Sequence, residues 1–332
     1  MTTSNRIQGC FLGIAIGDAL GMPVETMSHE EILKDTAGKG LTGFIDPINR
    51  TDWLGDLKAG DTTDDWQLTA VVLRSLVRTK GAFDIVDCAE EHVRSYSKSK
   101  FGWGKTTEIA IEAIRDGKRI PGQDPLPPGV PGKGCGSGIV MKVSPLGVNN
   151  SLRRGSGEEL WKDVKALGSM THPDIRASIA AYAVALFLQR ILESEGGMDA
   201  SSGAAYLEII IQTIKELETE EPSEYESVSE RLEKITDHLD NAESLSRAVG
   251  SGFSALDAAA FAIGTFLRHP KDFKTGILEA VNAGGDTDTN ASIAGALIGA
   301  NCGLESIPVE WKSFSKAFEE PLELAEKLID IY

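Results

Sequence analysis

Residues 284–303 read GGDTDTNASIAGALIGANCG. Two glycines lead into an acidic turn, Asp286-Thr287-Asp288-Thr289-Asn290, which opens into a run of small residues, Ala291, Ala294, Gly295 and Gly299. Recurrence at three- and four-residue spacing predicts a helix over 288–300, because such positions return to one face at every turn. The same periodicity marks segments around 64–79, 84–96, 106–116, 174–193, 205–219 and 254–268, and alternating β-branched runs are few. The fold class is therefore expected to be all-α, a compact helical bundle. Loop-rich stretches interrupt it at 38–63, at 194–204 and at 117–138, where Pro and Gly are too dense for regular structure. The charged stretch 215–248 reads as a solvated helical hairpin broken at Pro222. Neither a repeat period nor a shift of composition divides the chain, so residues 1–332 are read as one domain, although that exceeds the usual ~100–200 residues.

A second acidic turn, Gly60-Asp61-Thr62-Thr63-Asp64-Asp65-Trp66-Gln67, opens the segment 64–79. Either cluster alone has a plain explanation. Asp and Thr at a helix start satisfy free amides and interact well with the dipole, so Thr62 or Thr63, and Asp286 or Thr287, are candidate caps. Capping needs only one or two such residues, however, and leaves Asp64 beside Asp65, and Asp288 after Asp286, unexplained. Crowded carboxylates repel until cations or protons compensate them. Carboxylate and hydroxyl oxygens without His or Cys nearby select a hard ion such as Mg²⁺ or Mn²⁺ over Zn²⁺. Asp286 and Asp288 would diverge on a regular helix but can aim at one centre from a turn, which Gly284 and Gly285 permit. A third acidic stretch, GDALGMPVE (17–25), reads as a closely packed helix ending near Pro23, with Glu25 just past it. Asp18 lies inside that apolar helix. A buried acid needs partners, and its expected role is to bond a neighbouring helix.

Composition narrows the function classes. A net charge of −17 and a pI near 4.8 argue against tracking a nucleic-acid backbone and against docking on an anionic membrane. No uninterrupted apolar stretch reaches the ~18–20 residues of a membrane span; Ala291–Ala300 comes nearest. Cys10, Cys88, Cys135 and Cys302 lie far apart without paired metal spacing, and the N-terminus has no basic region followed by an apolar core. Reduced thiols in a cytoplasm are the expectation.

Taken together, GDALGMPVE (17–25), TDDWQLT (63–69), GSGIVMKVSPLG (136–147), THPD (171–174) and the block 284–303 resemble the ADP-ribosylglycohydrolase family, from about residue 5 to 315 and in family order. That family includes dinitrogenase-reductase-activating glycohydrolases and ADP-ribosyl-acceptor hydrolases. The resemblance implies an all-α bundle with a binuclear Mg²⁺ or Mn²⁺ cleft and hydrolysis of the bond between ADP-ribose and a modified acceptor. The acceptor would be protein or small molecule, with arginine slightly favoured over serine and ADP-ribose as product. Carried over by position, Thr63, Asp64, Asp65, Asp286, Asp288 and Thr289 match metal ligands, and Glu25 and Asp65 are candidates for the catalytic proton. Gly134, Gly136, Ser137, Gly138 and Met141 match the phosphate- and ribose-binding loop, whose amides suit a nest for phosphate oxygens. His172 matches a His-Pro position near the substrate, with a structural histidine as the alternative. Phe101 and Trp103 are aromatic candidates beside the ligand, ordinary packing being the plainer reading. Three positions depart from the family pattern: Trp66 stands where Thr or Ser is usual, Ser137 where the glycine loop usually has Asn, and Lys142 where Arg is usual, which leaves cleft shape and acceptor open. Rival readings are a non-catalytic member, either ADP-ribose-binding or crystallin-like and structural, and a hydrolase of another ribosylated small molecule.

Overall fold

The structure is a computed structural model and describes residues 1–48, 55–98, 102–122 and 134–332. Among these residues there are sixteen α-helices and no strand. They are α1 (Thr3–Gly21), α2 (His29–Asp35), α3 (Asp64–Arg78), α4 (Ile85–Tyr96), α5 (Lys105–Arg115), α6 (Ser144–Arg153), α7 (Gly157–Thr171) and α8 (Ile175–Glu193). The rest are α9 (Ala200–Glu220), α10 (Val228–Glu233), α11 (Ala242–Val249), α12 (Ala255–Arg268), α13 (Phe273–Asn282), α14 (Thr287–Cys302), α15 (Val309–Lys312) and α16 (Glu319–Ile329).

The small-residue run of α14 has its counterpart in α1. Gly9, Gly13, Gly17 and Gly21 recur every four residues and so line one face of α1. A Cβ on Gly13 would stand 2.2 Å from the Gly295 carbonyl oxygen, one on Gly17 2.2 Å from that of Ala291, and one on Gly21 2.4 Å from the Asp288 Cα. The two helices therefore meet backbone to backbone, antiparallel, at a distance no larger side chain allows. A large cluster of buried apolar side chains surrounds this pair, with Phe187 and Ile191 of α8, Phe261 of α12, Ile277 of α13 and Leu328 of α16 among its members. A smaller cluster, Leu68, Tyr96, Trp103, Ile111 and Met141, fills the space among α3, α4 and α5.

Two helices are as long and apolar as membrane spans, Thr3–Val24 and Ile175–Glu193, at mean hydropathy 1.4 and 1.5; both are core helices, with 94% and 89% of that window buried. The central helix α1 also carries a buried cation. The Arg6 guanidinium donates to Ala300 O (2.7 Å), Leu192 O (3.2 Å), Ser194 O (2.9 Å) and Ile191 O, capping the C-terminal carbonyls of α8 and α14 at once. Arg6→Met fills similar space but leaves these carbonyls without their donor. It is expected to cost at least ~2 kcal/mol, read as a lower urea midpoint at unchanged slope.

The chain breaks at Pro222 as expected, but 215–248 is not a two-helix hairpin. It is the end of α9, the short α10, a single 3₁₀ turn and α11, with Val228, Leu232, Leu245 and Val249 buried. The helix at 17–25 ends at Gly21, and Met22–Val24 form a 3₁₀ turn that delivers Glu25.

Candidate active site

The N-cap positions of the two acidic helices decide what their side chains do. Ten other helices are capped by a side chain in the usual way, including Thr2 on α1, Asp84 on α4 and Asp174 on α8. Thr63 and Asp286 occupy the N-cap positions of α3 and α14 and are suited to the task, yet neither side chain caps its helix. The expectation of capping is thus overturned, and for α3 the reason is visible. Asp18, from the middle of α1, reaches across and does the capping instead. Its Oδ1 accepts from Thr63 N (2.9 Å) and Thr63 Oγ1 (2.7 Å), and its Oδ2 from Trp66 N (2.9 Å). The acid buried in the apolar helix bonds a neighbouring helix, as expected of it.

Released from capping, the acidic side chains converge. One carboxylate oxygen from each of Glu25, Asp286 and Asp288 lies within 4.8 Å of the others, and the same holds for Asp18, Asp65 and Asp288. Asp288 belongs to both trios. Thr63 Oγ1 is 3.5 Å from Asp288 Oδ2 and Thr289 Oγ1 is 3.4 Å from Asp65 Oδ2. The Asp64 carboxylate is covered by Gly102, whose φ of +80° brings its backbone so close that a Cβ would stand 2.4 Å from Asp64 Oδ1. Gly284 and Gly285, at φ +82° and +88°, make the turn that aims Asp286, as the sequence predicts. Thr26 adopts φ +71°, a costly conformation for a β-branched residue, and its N–H bonds Gly285 O at 2.9 Å. The two turns therefore lock together beside Glu25.

Burial raises every carboxyl in the group, and for all but Asp288 the charges of the neighbouring acids add to it. Burial, then the neighbouring charges of Asp288, Asp286, Asp64 and Asp18, push Glu25 up to about 11. Burial and Asp288 push Asp18 up to about 7. Asp64, Asp65 and Asp286 are pushed well above the carboxylate range by burial first and by Asp288 next. Asp65 Oδ1 is buried without a hydrogen-bond partner among the described residues. A buried oxygen with no donor, in an all-oxygen set of crowded acids, fits a hard divalent cation better than any protein partner present.

A cleft of about 220 Å³ opens onto this cluster, with Glu25, Asp64, Asp65, Asp286, Asp288 and Thr289 in its wall. Gly136, Ser137, Gly138, Met141 and His172 line it as well. Ser137 Oγ donates to Asp286 Oδ2 at 2.9 Å and so ties the glycine loop to the acids. Gly134 is not in the wall; it packs on Pro173, where a Cβ would meet Cγ at 2.6 Å. The Ser137 amide is not free for a phosphate, since it donates to Phe253 O at 3.0 Å. That bond carries in a residue the sequence reading missed. Phe253 lines the cleft and is 51% exposed, in a loop that offers no periodicity to mark it.

Of the three departures from the family pattern, Ser137 lines the cleft, whereas Trp66 and Lys142 lie outside it. The Trp66 indole N–H donates to Glu320 Oε2 on α16 at 3.0 Å, facing away from the acids, and Lys142 is fully buried behind the wall. Trp103 packs in the smaller core, with its Nε1 donating to Gln67 Oε1 at 3.1 Å. Phe101 lies outside the described residues. A larger hollow of about 940 Å³, bounded by Thr26–Glu31 and Glu243, lies at the same Gly284–Gly285 turn but includes none of the acidic cluster.

Comparisons with known proteins bear on the family and the fold. The ADP-ribosylglycohydrolase family matches residues 1–332. The ADP-ribosylhydrolase ARH3 of Mus musculus is 28% identical over 358 residues, spanning 99% of this chain and 92% of the relative. That of Homo sapiens is 27% identical, spanning 99% and 94%. An uncharacterized protein of Archaeoglobus fulgidus is 29% identical, spanning 98% and 97%. Among solved structures, one described as an ADP-ribosylglycohydrolase-related protein complex shares the fold at TM-score 0.66 and 24% identity, over 99% of this chain and 98% of that one. With the acidic cleft and a match along its whole length, the chain belongs to the ADP-ribosylglycohydrolase family, a family of glycosidic-bond hydrolases.

Proposed function

We propose that this enzyme releases ADP-ribose from a modified acceptor, with arginine as the first acceptor to test, using two Mg²⁺ or Mn²⁺ ions held by Thr63, Asp64, Asp65, Asp286, Asp288 and Thr289. The observation that carries this reading is the convergence of two helix N-termini whose cap residues do not cap. Glu25, Asp64, Asp65, Asp286 and Asp288 bring −5, and two divalent ions bring +4, so acids and ions require each other. Bound there, the ions would take the ribose hydroxyls and polarise a water. Glu25, at the cleft wall beside Asp286 and Asp288, is the first candidate for the carboxyl that protonates the leaving group. Asp65, with one oxygen unpartnered, is the second candidate for the proton. Gly136 and Gly138 leave the space for the ribose phosphate to approach, and Met141 and Phe253 give the cleft its apolar sides.

The test measures ADP-ribose release from arginine-linked and serine-linked proteins, first in EDTA and then with Mg²⁺ or Mn²⁺ restored. Metal-dependent release from the arginine-linked substrate supports the proposal in full. Release from the serine-linked one alone corrects the acceptor, and release undiminished in EDTA rejects the metal site.

The same cluster sets a pH dependence whose sign is fixed. Carboxyls whose folded pKa is raised bind more protons in the folded state than in the unfolded one, so stability falls as pH rises. The loss begins above the ordinary carboxyl range of ~4 and continues through the Asp18 value of about 7. In EDTA the melting temperature is expected to fall from pH 5 to pH 8. Added Mg²⁺ takes over the protons' role, so the rise in melting temperature it gives should grow with pH. An increment that is flat across this range would show that the acids are not the binding site.

A further inference from the structure

Behind the cleft wall, Lys142 is fully buried, and the hydrogen bond recorded for its ammonium runs from Nζ to Thr171 Oγ1 at 3.2 Å. Thr171 Oγ1 in turn lies 2.8 Å from His172 Nδ1. An ammonium carries three N–H groups and no lone pair, so at Thr171 it can only donate. The threonine hydroxyl has one proton of its own, and among the described residues His172 Nδ1 is the acceptor in reach. Were Nδ1 protonated, two donors would point at one oxygen and the hydroxyl proton would have no acceptor. Donation from Lys142 also strengthens the hydroxyl as a donor in its turn. The imidazole is kept neutral by its burial and by the lysine charge behind it. A neutral ring whose Nδ1 accepts must carry its proton on Nε2, and that atom faces the glycine loop, 3.0 Å from where a Cβ on Gly138 would stand.

We propose that Lys142 and Thr171 are positioning residues that fix His172 as an Nε2–H donor directed into the cleft, where it meets an acceptor oxygen of ADP-ribose. This rests on the reading of the cleft as the ADP-ribose site. The atom opposite His172 must then be a hydroxyl, phosphate or ring-ether oxygen and not a donor. Lys142, although absent from the cleft wall, acts on the ligand through two side chains.

Long-range proton–nitrogen spectra of the histidine side chains in uniformly ¹⁵N-labelled protein read the tautomer directly, without any turnover. The wild type, Lys142→Arg and Thr171→Ser are expected to show His172 neutral with the proton on Nε2. Lys142→Met and the isosteric Thr171→Val should lose that single tautomer and bind ADP-ribose about 3–10-fold more weakly, the effect of one hydrogen bond. Thr171→Val guards against a Lys142 variant that fails to fold. An Nδ1–H ring in the wild type, or a Thr171→Val spectrum identical to the wild type's, overturns the relay. If the tautomer responds as expected but the wild type does not bind ADP-ribose, the relay stands and the cleft reading fails.

Discussion

Asp288→Asn is expected to reduce ADP-ribose release by more than about 100-fold, the upper range for disturbing a residue that only supports a metal ligand. Asp288 is the acid shared by both carboxylate trios, and Thr63 Oγ1 reaches it at 3.5 Å. The amide keeps the shape and removes the charge on which both trios depend. The variant should fold. Asp288 is a leading cause of the raised pKa of Glu25, Asp64, Asp65 and Asp286, and neutralising it relieves that repulsion. In EDTA its melting temperature should therefore match or exceed that of the wild type at pH 8, while the rise given by Mg²⁺ disappears. Asp64→Asn and Asp286→Asn should follow the same pattern. Full activity of Asp288→Asn with excess metal would contradict the assignment, as would an undiminished Mg²⁺ effect on its melting.

Gly17→Val is expected to have the largest effect on the fold. Even a single Cβ at Gly17 would stand 2.2 Å from the Ala291 carbonyl oxygen and 2.4 Å from its carbon, and backbone cannot rotate away as a side chain does. The helices α1 and α14 must separate, and overpacking of that kind costs ~3 kcal/mol or more, enough to unfold a protein of ordinary stability. Any folded remainder should bind metal poorly, since Asp18 follows Gly17 directly and Asp288 stands one helical turn before Ala291. Gly43→Ala is the control. Its added Cβ meets nothing within 4 Å, and its urea midpoint should stay near the wild type's. A Gly17→Val midpoint that also stayed there would mean the helices do not meet as described.

What the sequence made legible follows from how much each signal exceeded its ordinary explanation. The paired acids at two helix starts were more than caps require, and the structure brings them together. The helix of 144–153 was not legible, because Gly147, Asn149 and Asn150 are poor helix formers. Tertiary contacts hold it instead: Gly147 lets α6 lie against the Ala185 carbonyl, and Asn149 and Asn150 bond Gly81 O and Gly155 O. Phe253 escaped notice for a related reason, as its place in the cleft comes from a bond to Ser137 more than a hundred residues away in the chain. Asp18 was seen to need partners, but nothing local says that they are the amides of Thr63 and Trp66. Lys142 was read as a change in the cleft, and only burial shows it standing behind.

The pairing of α1 with α14 also has a consequence for how the chain is made. Thr287 Oγ1 donates to Gly21 O across 266 positions of sequence. At synthesis rates of ~5–20 residues per second, roughly 13–53 s separate the emergence of those two partners from the ribosome. During that interval the glycine face of α1, apolar enough to resemble a membrane span, has no α14 to cover it. The nascent chain should therefore be a client of holding chaperones until α14 has emerged, and its yield should depend on their supply more than on the stability of the finished protein.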